Sequence, residues 1–207
     1  ATNCTKLNNV VVATDDQRIF DHVKSFNGNV EMTSDKHESG TDRCAEVVEK
    51  VSETYDVVIN IQGDEPYIDP TQITQLCECF KDEKTDIATL IKKIETTEDL
   101  FNENKVKVVK SSADFAIYFS RNPIPFVKGE AKENWLEKQT YYKHIGIYGY
   151  RFEVLQKVTK MPLSILEKAE GLEQLRWLEN GLFIKVAETQ LEAIAIDSPE
   201  DLKKIKQ

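Results

Sequence analysis

The length, charge and apolar content of the chain limit what it can be. Its 207 residues suit one compact domain and carry a formal net charge of -9 at pH 7. This charge repels polyanions, and no cluster of Lys and Arg interleaved with aromatic residues offsets it, so nucleic acid is not an expected partner. No apolar segment approaches the roughly 20 residues of a membrane-spanning helix, and no signal-peptide pattern is present. We therefore expect a cytoplasmic protein.

The first part of the chain alternates strand and helix patterns. The β-branched run 10–14 predicts a strand, and apolar residues at helical spacing over 19–26 predict a helix. The polar loop 33–43 then precedes a second helix, which carries Ala45 on its apolar side. This loop holds far more side-chain chemistry than a simple connection needs, so it is a candidate binding segment.

A nearly continuous apolar run, 57–61, is typical of a strand that is covered on both faces in a parallel sheet. It leads directly into the turn Gln62-Gly63-Asp64-Glu65-Pro66. Open α/β sheets bind their ligands at the carboxyl ends of strands. Asp64 is therefore expected at a ligand-binding edge.

The rest of the chain continues this alternation and predicts an α/β fold with a mostly parallel sheet. The patterns indicate a helix over 73–80, strands over 87–94, 106–109, 116–120, 144–150 and 183–187, and one helix over 164–180. The prolines at 123 and 125 interrupt the alternation of strands and helices. We expect the segment of about 122–145 to be an excursion from the domain or a dimer arm. A last strand ends at Asp197, directly before a helix start at Ser198.

Asp64 and Asp197 each follow an apolar strand, and the ends of parallel strands converge on one edge of a sheet. Two convergent carboxylates can hold Mg2+, a hard cation that prefers oxygen ligands. The alternative is that each acid only caps the turn or helix that follows it. The pattern by itself leaves both interpretations open.

Other polar residues also have a functional and a structural interpretation. The planar guanidinium of Arg121 could bind a carboxylate or phosphate, or it could form a surface ion pair. His144 opens a strand and could donate to a sugar hydroxyl or carboxylate, or it could be structural. Glu173 and Gln174 lie on an amphipathic helix, where solvent exposure is the alternative to a place beside a cleft.

Six segments, in order, resemble the successive motifs of CMP-Kdo synthetases, enzymes that couple CTP to the eight-carbon acid sugar Kdo with release of pyrophosphate. The segments are 39–43 (SGTDR), 62–66 (QGDEP), 118–121 (YFSR), 144–150 (HIGIYGY), 172–176 (LEQLR) and 197–202 (DSPEDL). Together they extend over nearly the whole chain. The QGDEP turn alone indicates only a nucleotidyltransferase, whereas the YFSR and HIGIY motifs together are much more specific.

The resemblance implies a Rossmann-like nucleotidyltransferase fold of the nucleotide-diphospho-sugar transferase type: a single domain with a mostly parallel mixed sheet and a small dimerisation arm. It implies transfer of CMP from CTP to the anomeric hydroxyl of Kdo, for lipopolysaccharide biosynthesis, by a cytoplasmic homodimer. The catalytic set implied is Asp64, Asp197 and Arg121, with Mg2+ on the two acids. The substrate contacts implied are Ser39, Gly40 and Arg43 near cytosine and ribose, and Gln62, Arg121, His144, Tyr148, Glu173 and Gln174 around Kdo.

Two alternatives remain. The chain could be a cytidylyltransferase for a related acid sugar, either amino-substituted Kdo or sialic acid, or it could be a nucleotide-binding domain without catalysis. The second arises because members of the resembled family begin with a strand, a loop rich in Gly, Arg and Lys, and a helix, which do not correspond to the start at Ala1. We expect the natural protein to carry about 35–40 further N-terminal residues, one strand–loop–helix unit, and the strand 10–14 to border an empty position in the sheet.

Overall fold

The computed structural model describes residues 1–37, 39–51, 55–63, 65 and 67–191. Asp64, Asp197 and the expected last strand and helix lie outside these ranges. The strands are β1 (Val12–Thr14), β2 (Val30–Met32), β3 (Val57–Asn60), β4 (Ile87–Lys93), β5 (Lys107–Lys110), β6 (Ala116–Ser120), β7 (Tyr142–Arg151) and β8 (Ile184–Glu188). The helices are α1 (Gln17–Ser25), α2 (Gly40–Lys50), α3 (Pro70–Cys79), α4 (Thr97–Phe101), α5 (Trp135–Lys138), α6 (Phe152–Val158), α7 (Ile165–Glu170) and α8 (Glu173–Glu179).

The strands form a parallel pair, β1 with β2, and a six-stranded sheet in which β6, β5, β7, β4 and β8 are neighbours in that order. In the larger sheet β7 is antiparallel to β3, β4 and β5, whereas β4 and β8 are parallel. It follows that β3, β4, β5 and β8 share one direction and that β6 and β7 run the opposite way. The expected mixed α/β sheet is confirmed.

β7 joins the parts of the larger sheet. One of its edges pairs with β4 along the whole of that strand, while its other edge passes from β5, at Tyr142 and Lys143, to β3, which begins its pairing at Tyr148. The register with β4 shifts between Thr89 and Leu90. A bulge therefore lies in the middle of the strand that carries the HIGIYGY motif.

A cleft of about 1510 Å³ separates β1 from β3. Residues 10–13 line one side of the cleft and residues 57–62 line the other. Among the described residues, no strand pairs with β1 on the edge away from β2 or with β3 on the edge away from β7. The strand that begins near Val10 thus borders an open sheet position, as expected from the sequence.

Two boundaries expected from the sequence are wrong. The single helix over 164–180 is divided into α7 and α8, because Gly171 adopts a left-handed conformation (φ 63°) that ends α7. The excursion ends before Tyr142 and not at about 145, because β7 begins at Tyr142, two residues earlier than the strand predicted over 144–150. The remainder of that segment includes α5, whose Trp135 packs with Tyr141, Ile94 and Leu100 in a small cluster of its own.

Gly149 in β7 lies close to side chains of β3 and of the residue that caps the C-terminus of α3. A Cβ atom there would lie 2.8 Å from the Ile59 side chain and 2.8 Å from the Phe80 ring. At Gly146, in the same strand, a Cβ would meet no heavy atom of the described residues within 4 Å. Packing therefore leaves no room for a side chain at Gly149, whereas it leaves room for one at Gly146.

We expect Gly149→Ala to lower the free energy of unfolding by about 1–3 kcal/mol, because the added methyl overpacks a closed core. Gly146→Ala is the matched control and should unfold at nearly the wild-type urea concentration. Urea denaturation followed by circular dichroism measures both variants. Equal stability of the two would contradict the close packing at Gly149.

Candidate functional site

The N-terminus of α2 forms one wall of the cleft. Ser39 is the N-cap: its hydroxyl accepts from the Asp42 N–H at 3.1 Å and donates to the Asp42 carboxylate at 2.8 Å. Gly40 packs against Asn60 at the end of β3, where a Cβ would lie 3.3 Å from the amide nitrogen. Helix N-termini carry unpaired N–H groups that attract anions. Ser39 and Gly40 both line the cleft, so this wall suits a phosphorylated ligand.

Arg43, one turn further along α2, also lines the cleft, but its guanidinium is engaged with the protein. Nη2 donates to the Asp15 carboxylate at 2.9 Å, and Nη1 contacts the Thr33 hydroxyl and the Ser34 carbonyl oxygen. These bonds tie α2 to the segments that follow β1 and β2. A contact between Arg43 and a base or ribose stays a prediction.

Glu173, the first residue of α8, reaches the same cleft and connects it to α2. Its carboxylate accepts from the Thr41 hydroxyl at 3.1 Å and from Arg176 Nη2 at 2.9 Å. Burial raises the pKa of Glu173, and the hydrogen bond from Thr41 and the charge of Arg176 oppose that rise. Glu173 is therefore a cleft residue and not a solvated surface acid.

Gln174, its neighbour, is only 5% exposed and does not line the cleft. Solvent exposure, the alternative left open by the sequence, is wrong for this residue. A direct contact between Gln174 and Kdo stays a prediction.

His144 and Tyr148 form an uncharged aromatic pair beside the cleft. The rings lie 5.2 Å apart, and the edge of Phe119 covers His144 at 5.5 Å. Burial lowers the pKa of His144 to about 4 and raises the pKa of Tyr148 well above its ordinary value. The Tyr148 hydroxyl is buried and has no hydrogen-bond partner among the described residues. Both side chains are neutral at pH 7, and Tyr148 lines the cleft.

Arg121 and Gln62 complete the predicted set within the described residues. Each guanidinium nitrogen of Arg121 donates to a backbone carbonyl: Nε to Glu170 at 2.6 Å, Nη1 to Glu103 at 3.2 Å and Nη2 to Gly171 at 3.4 Å. Nη1 and Nη2 each keep one further N–H. Gln62 lines the cleft, and its amide donates to the Gly146 carbonyl at 3.3 Å. In the described part of the chain, Arg121 thus fixes the end of α7 and forms no surface ion pair.

The cleft brings together most of the residues singled out in the sequence, namely Ser39, Gly40, Arg43, Gln62, Tyr148 and Glu173. His144 lies beside Tyr148, and Arg121 contacts the junction that precedes α8. Within the described ranges, no three His, Cys, Asp or Glu side chains converge as a metal site. Both proposed metal ligands, Asp64 and Asp197, lie outside those ranges.

Sequence reasoning missed two hydroxyl residues in this region. Thr41 bonds Glu173 and lies 3.3 Å from the Tyr150 hydroxyl, and Thr89 bonds His144 at 2.9 Å. The available signal for Thr89 was a single polar residue inside the apolar run 87–91. Thr41 lies inside the SGTDR segment but was not singled out.

Comparisons with known proteins give the family. A family model described as cytidylyltransferase matches residues 1–196. The chain belongs to this family. This cytidylyltransferase is 54% identical over 202 residues to the 3-deoxy-manno-octulosonate cytidylyltransferase of Parabacteroides distasonis, covering 96% of this chain and 80% of that protein. The enzyme of the same name from Bacteroides thetaiotaomicron is also 54% identical, over 200 residues, covering 95% and 80%.

A solved structure agrees with these relatives. The structure of CMP:2-keto-3-deoxy-manno-octonic acid synthetase complexed with CTP superposes with a TM-score of 0.90 at 40% sequence identity, covering 99% of this chain and 82% of that one. The resemblance stated from the motifs and the Rossmann-like nucleotidyltransferase fold are both confirmed. None of the helices described for this cytidylyltransferase is long and apolar enough to cross a membrane.

The lowered pKa of His144 predicts a pH dependence of stability. Between its folded pKa of about 4 and its ordinary value of 6.5, the unfolded state binds more protons at this residue than the folded state does. The contribution of His144 is thus fully present above pH 6.5 and is lost as the pH falls towards 4. We expect His144→Gln to flatten the loss of unfolding free energy across this window, measured by urea denaturation at several pH values.

His22→Gln, on the exposed face of α1, is the matched control for replacing a histidine by glutamine. A wild-type slope in His144→Gln would mean that His144 is not held neutral by burial.

Proposed function

We propose that this protein transfers CMP from CTP to the anomeric hydroxyl of Kdo, giving CMP-Kdo and pyrophosphate, in lipopolysaccharide biosynthesis. The observation that carries the proposal is 54% identity over 96% of the chain to a 3-deoxy-manno-octulosonate cytidylyltransferase. The 0.90 TM-score to a synthetase complexed with CTP supports it independently, because it concerns the arrangement of the cleft-forming elements.

The described residues divide into a nucleotide side and a sugar side. The first turn of α2, with Ser39 and Gly40, would hold the nucleotide, since its small residues and unpaired N–H groups allow close approach of an anion. Gln62, Tyr148 and Glu173 line the same cleft and would hold the sugar. The buried Tyr148 hydroxyl lacks a partner among the described residues, and a sugar hydroxyl would satisfy it.

The reaction forms a bond between the anomeric oxygen of Kdo and the α-phosphorus of CTP, and it breaks the bond from that phosphorus to pyrophosphate. No covalent enzyme intermediate is required. The residues of the cleft therefore act chiefly by holding the two substrates in line. The contact between Thr41 and Glu173 fixes the distance between the wall formed by α2 and the wall formed by α8.

We include Mg2+ in the proposal, held by Asp64 and Asp197. Carboxylate oxygens are the ligands that this cation prefers. Gln62 and Gly63, which directly precede Asp64, line the cleft, so a cation bound at that turn would be close to the proposed substrates. When bound, it would offset phosphate charge and lower the pKa of the attacking hydroxyl.

The reaction is tested on the full-length protein by pyrophosphate release, which should require CTP, Kdo and Mg2+ together. Asp64→Asn and Asp197→Asn should each lower kcat by roughly 100-fold or more, the cost of removing one electrostatic contact to the reacting group. Asp69→Asn is the matched control: it keeps a capping side chain at the start of α3 and should turn over normally.

Near-normal Mg2+-dependent turnover in both variants would show that the two acids only form turns. Turnover with sialic acid or amino-substituted Kdo in place of Kdo would identify the related-sugar alternative. Absence of turnover with every sugar, together with CTP binding, would identify a nucleotide-binding domain.

We propose that the remaining N–H groups of Arg121 bind the carboxylate of the sugar. Arg121→Lys keeps the charge and loses the planar fork, so it should raise the KM for Kdo about 10-fold and change the KM for CTP little. Lysine also loses the bonds to the end of α7, so stability is measured in parallel. Ser164→Ala, which removes the capping box of α7, is the control: it should lower stability and leave both KM values unchanged. A rise in the KM for CTP alone would place Arg121 on the phosphate side.

A homodimer and a cytoplasmic location, both implied by the resemblance, belong to the same proposal. The segment 122–141, with its own aromatic cluster around Trp135 and an exposed Phe126, is the proposed dimer arm. Sedimentation of the full-length protein measures the mass of the assembly, and a monomer would overturn this part.

A further inference from the structure

The bulge in β7 encloses one buried hydroxyl group. The register with β4 passes from Thr89 opposite Tyr148 to Leu90 opposite Ile145, so Gly146 and Ile147 have no partner on β4. Thr89 is fully buried, and its Oγ1 lies within hydrogen-bond distance of three atoms. These are the carbonyl oxygens of Ile147 at 2.8 Å and Ile145 at 3.1 Å, and His144 Nε2 at 2.9 Å.

The hydrogens in this group can be counted. A threonine hydroxyl has one proton to donate, and a carbonyl oxygen only accepts. Suppose that the Thr89 hydroxyl donated its proton to His144. The lone pairs of Thr89 Oγ1 would then face the carbonyl oxygens of Ile145 and Ile147 at close range, with no proton between the oxygen atoms. Buried acceptors left in that state are costly. The proton therefore points to the carbonyls, and His144 Nε2 must carry a hydrogen and donate it to Thr89.

We propose that Thr89 is a positioning residue that fixes His144 as the Nε2–H tautomer, so that His144 Nδ1 accepts a hydrogen bond from a hydroxyl group of the acid sugar. A neutral imidazole with Nε2–H has its lone pair on Nδ1. Within the part of the chain that the structure describes, no residue donates to that atom. The ring lies against Tyr148, which lines the cleft.

This inference rests on the proposed function and specifies it further. From the sequence, His144 was expected to donate a hydrogen bond to a hydroxyl or to a carboxylate. The hydrogen-bond network instead makes its Nδ1 an acceptor. A lone pair attracts a hydroxyl hydrogen and repels a carboxylate oxygen. The carboxylate of the sugar must then be bound elsewhere, and the remaining N–H groups of Arg121 can bind it.

The tautomer is tested without turnover by ¹⁵N NMR of the imidazole nitrogens in the full-length protein. The chain has three histidines, so the signals of His144 are assigned by its loss in His144→Gln. We expect a protonated Nε2 and an unprotonated Nδ1 in the wild type, and exchange between tautomers in Thr89→Val, which keeps the shape and loses the hydroxyl. A protonated Nδ1 in the wild type overturns the proposal even if Thr89→Val does not fold.

The role in sugar binding is tested by kinetics. Thr89→Val should raise the KM for Kdo by about 3–10-fold, the effect of one neutral hydrogen bond, with the KM for CTP unchanged. Thr89→Ser keeps the hydroxyl and should restore the KM for Kdo. Thr85→Val removes another fully buried hydroxyl, which donates to the Cys79 carbonyl at 2.9 Å, and should leave both KM values unchanged.

An unchanged KM for Kdo in Thr89→Val overturns the sugar contact. Failure of the wild type to use Kdo would instead refute the proposed function, and the NMR result would still report the tautomer.

Discussion

The pairing of β7 with three other strands is the constraint on which the site depends. β7 pairs with β4 along one edge and with β5 and then β3 along the other, so its backbone is fixed on both sides. Because successive side chains of a strand point to opposite faces, fixing the backbone also fixes which residues face the cleft. The bulge changes this alternation in mid-strand, and it lies between His144 and Tyr148, whose rings are in contact.

The second organising element is the contact between the walls of the cleft. Thr41 on α2 and Arg176 on α8 both donate to Glu173, and Arg176 also donates to the Met161 carbonyl and lies 3.3 Å from the Glu167 carboxylate. The Arg176 guanidinium is largely buried, and a buried charge needs a partner of opposite sign. Glu167 and Glu173 provide that partner. The Glu173 carboxylate is thus held by Thr41, which is distant in the sequence, and by Arg176 of its own helix.

The sequence predicted the strand and helix alternation well where apolar runs were long, as at 87–94, where burial on both faces leaves a clear pattern. The run 57–61 also forms a strand, but only Asn60 in that strand is buried, because its other residues border the cleft. It failed at Gly171, where one conformationally permissive residue divides a helix whose apolar spacing continues on both sides. It also gave no direction for β7, since direction depends on a connection through the irregular segment 122–141. Periodicity carries no information about such a path.

The sequence predicted which residues lie at the site better than it predicted the contacts that those residues make. The motifs identified several of the residues that line the cleft, since chemical type is visible in the sequence. They did not show that three guanidinium nitrogens of Arg121 donate to backbone carbonyls. Nor did they show that His144 forms a hydrogen bond with Thr89 of another strand. Those properties arise from contacts between distant segments, and the role of each side chain follows from them.

The left-handed Gly171 also joins the two halves of the proposed sugar site. The carbonyls of Glu170 and Gly171 accept hydrogen bonds from the guanidinium of Arg121. Helix α8 begins two residues after Gly171, with Glu173. The relative orientation of a cationic and an anionic group is therefore set by the dihedral angles of a two-residue joint. A molecule that contacts both groups would restrain the angle between α7 and α8, so its binding would be coupled to the geometry of this helical pair.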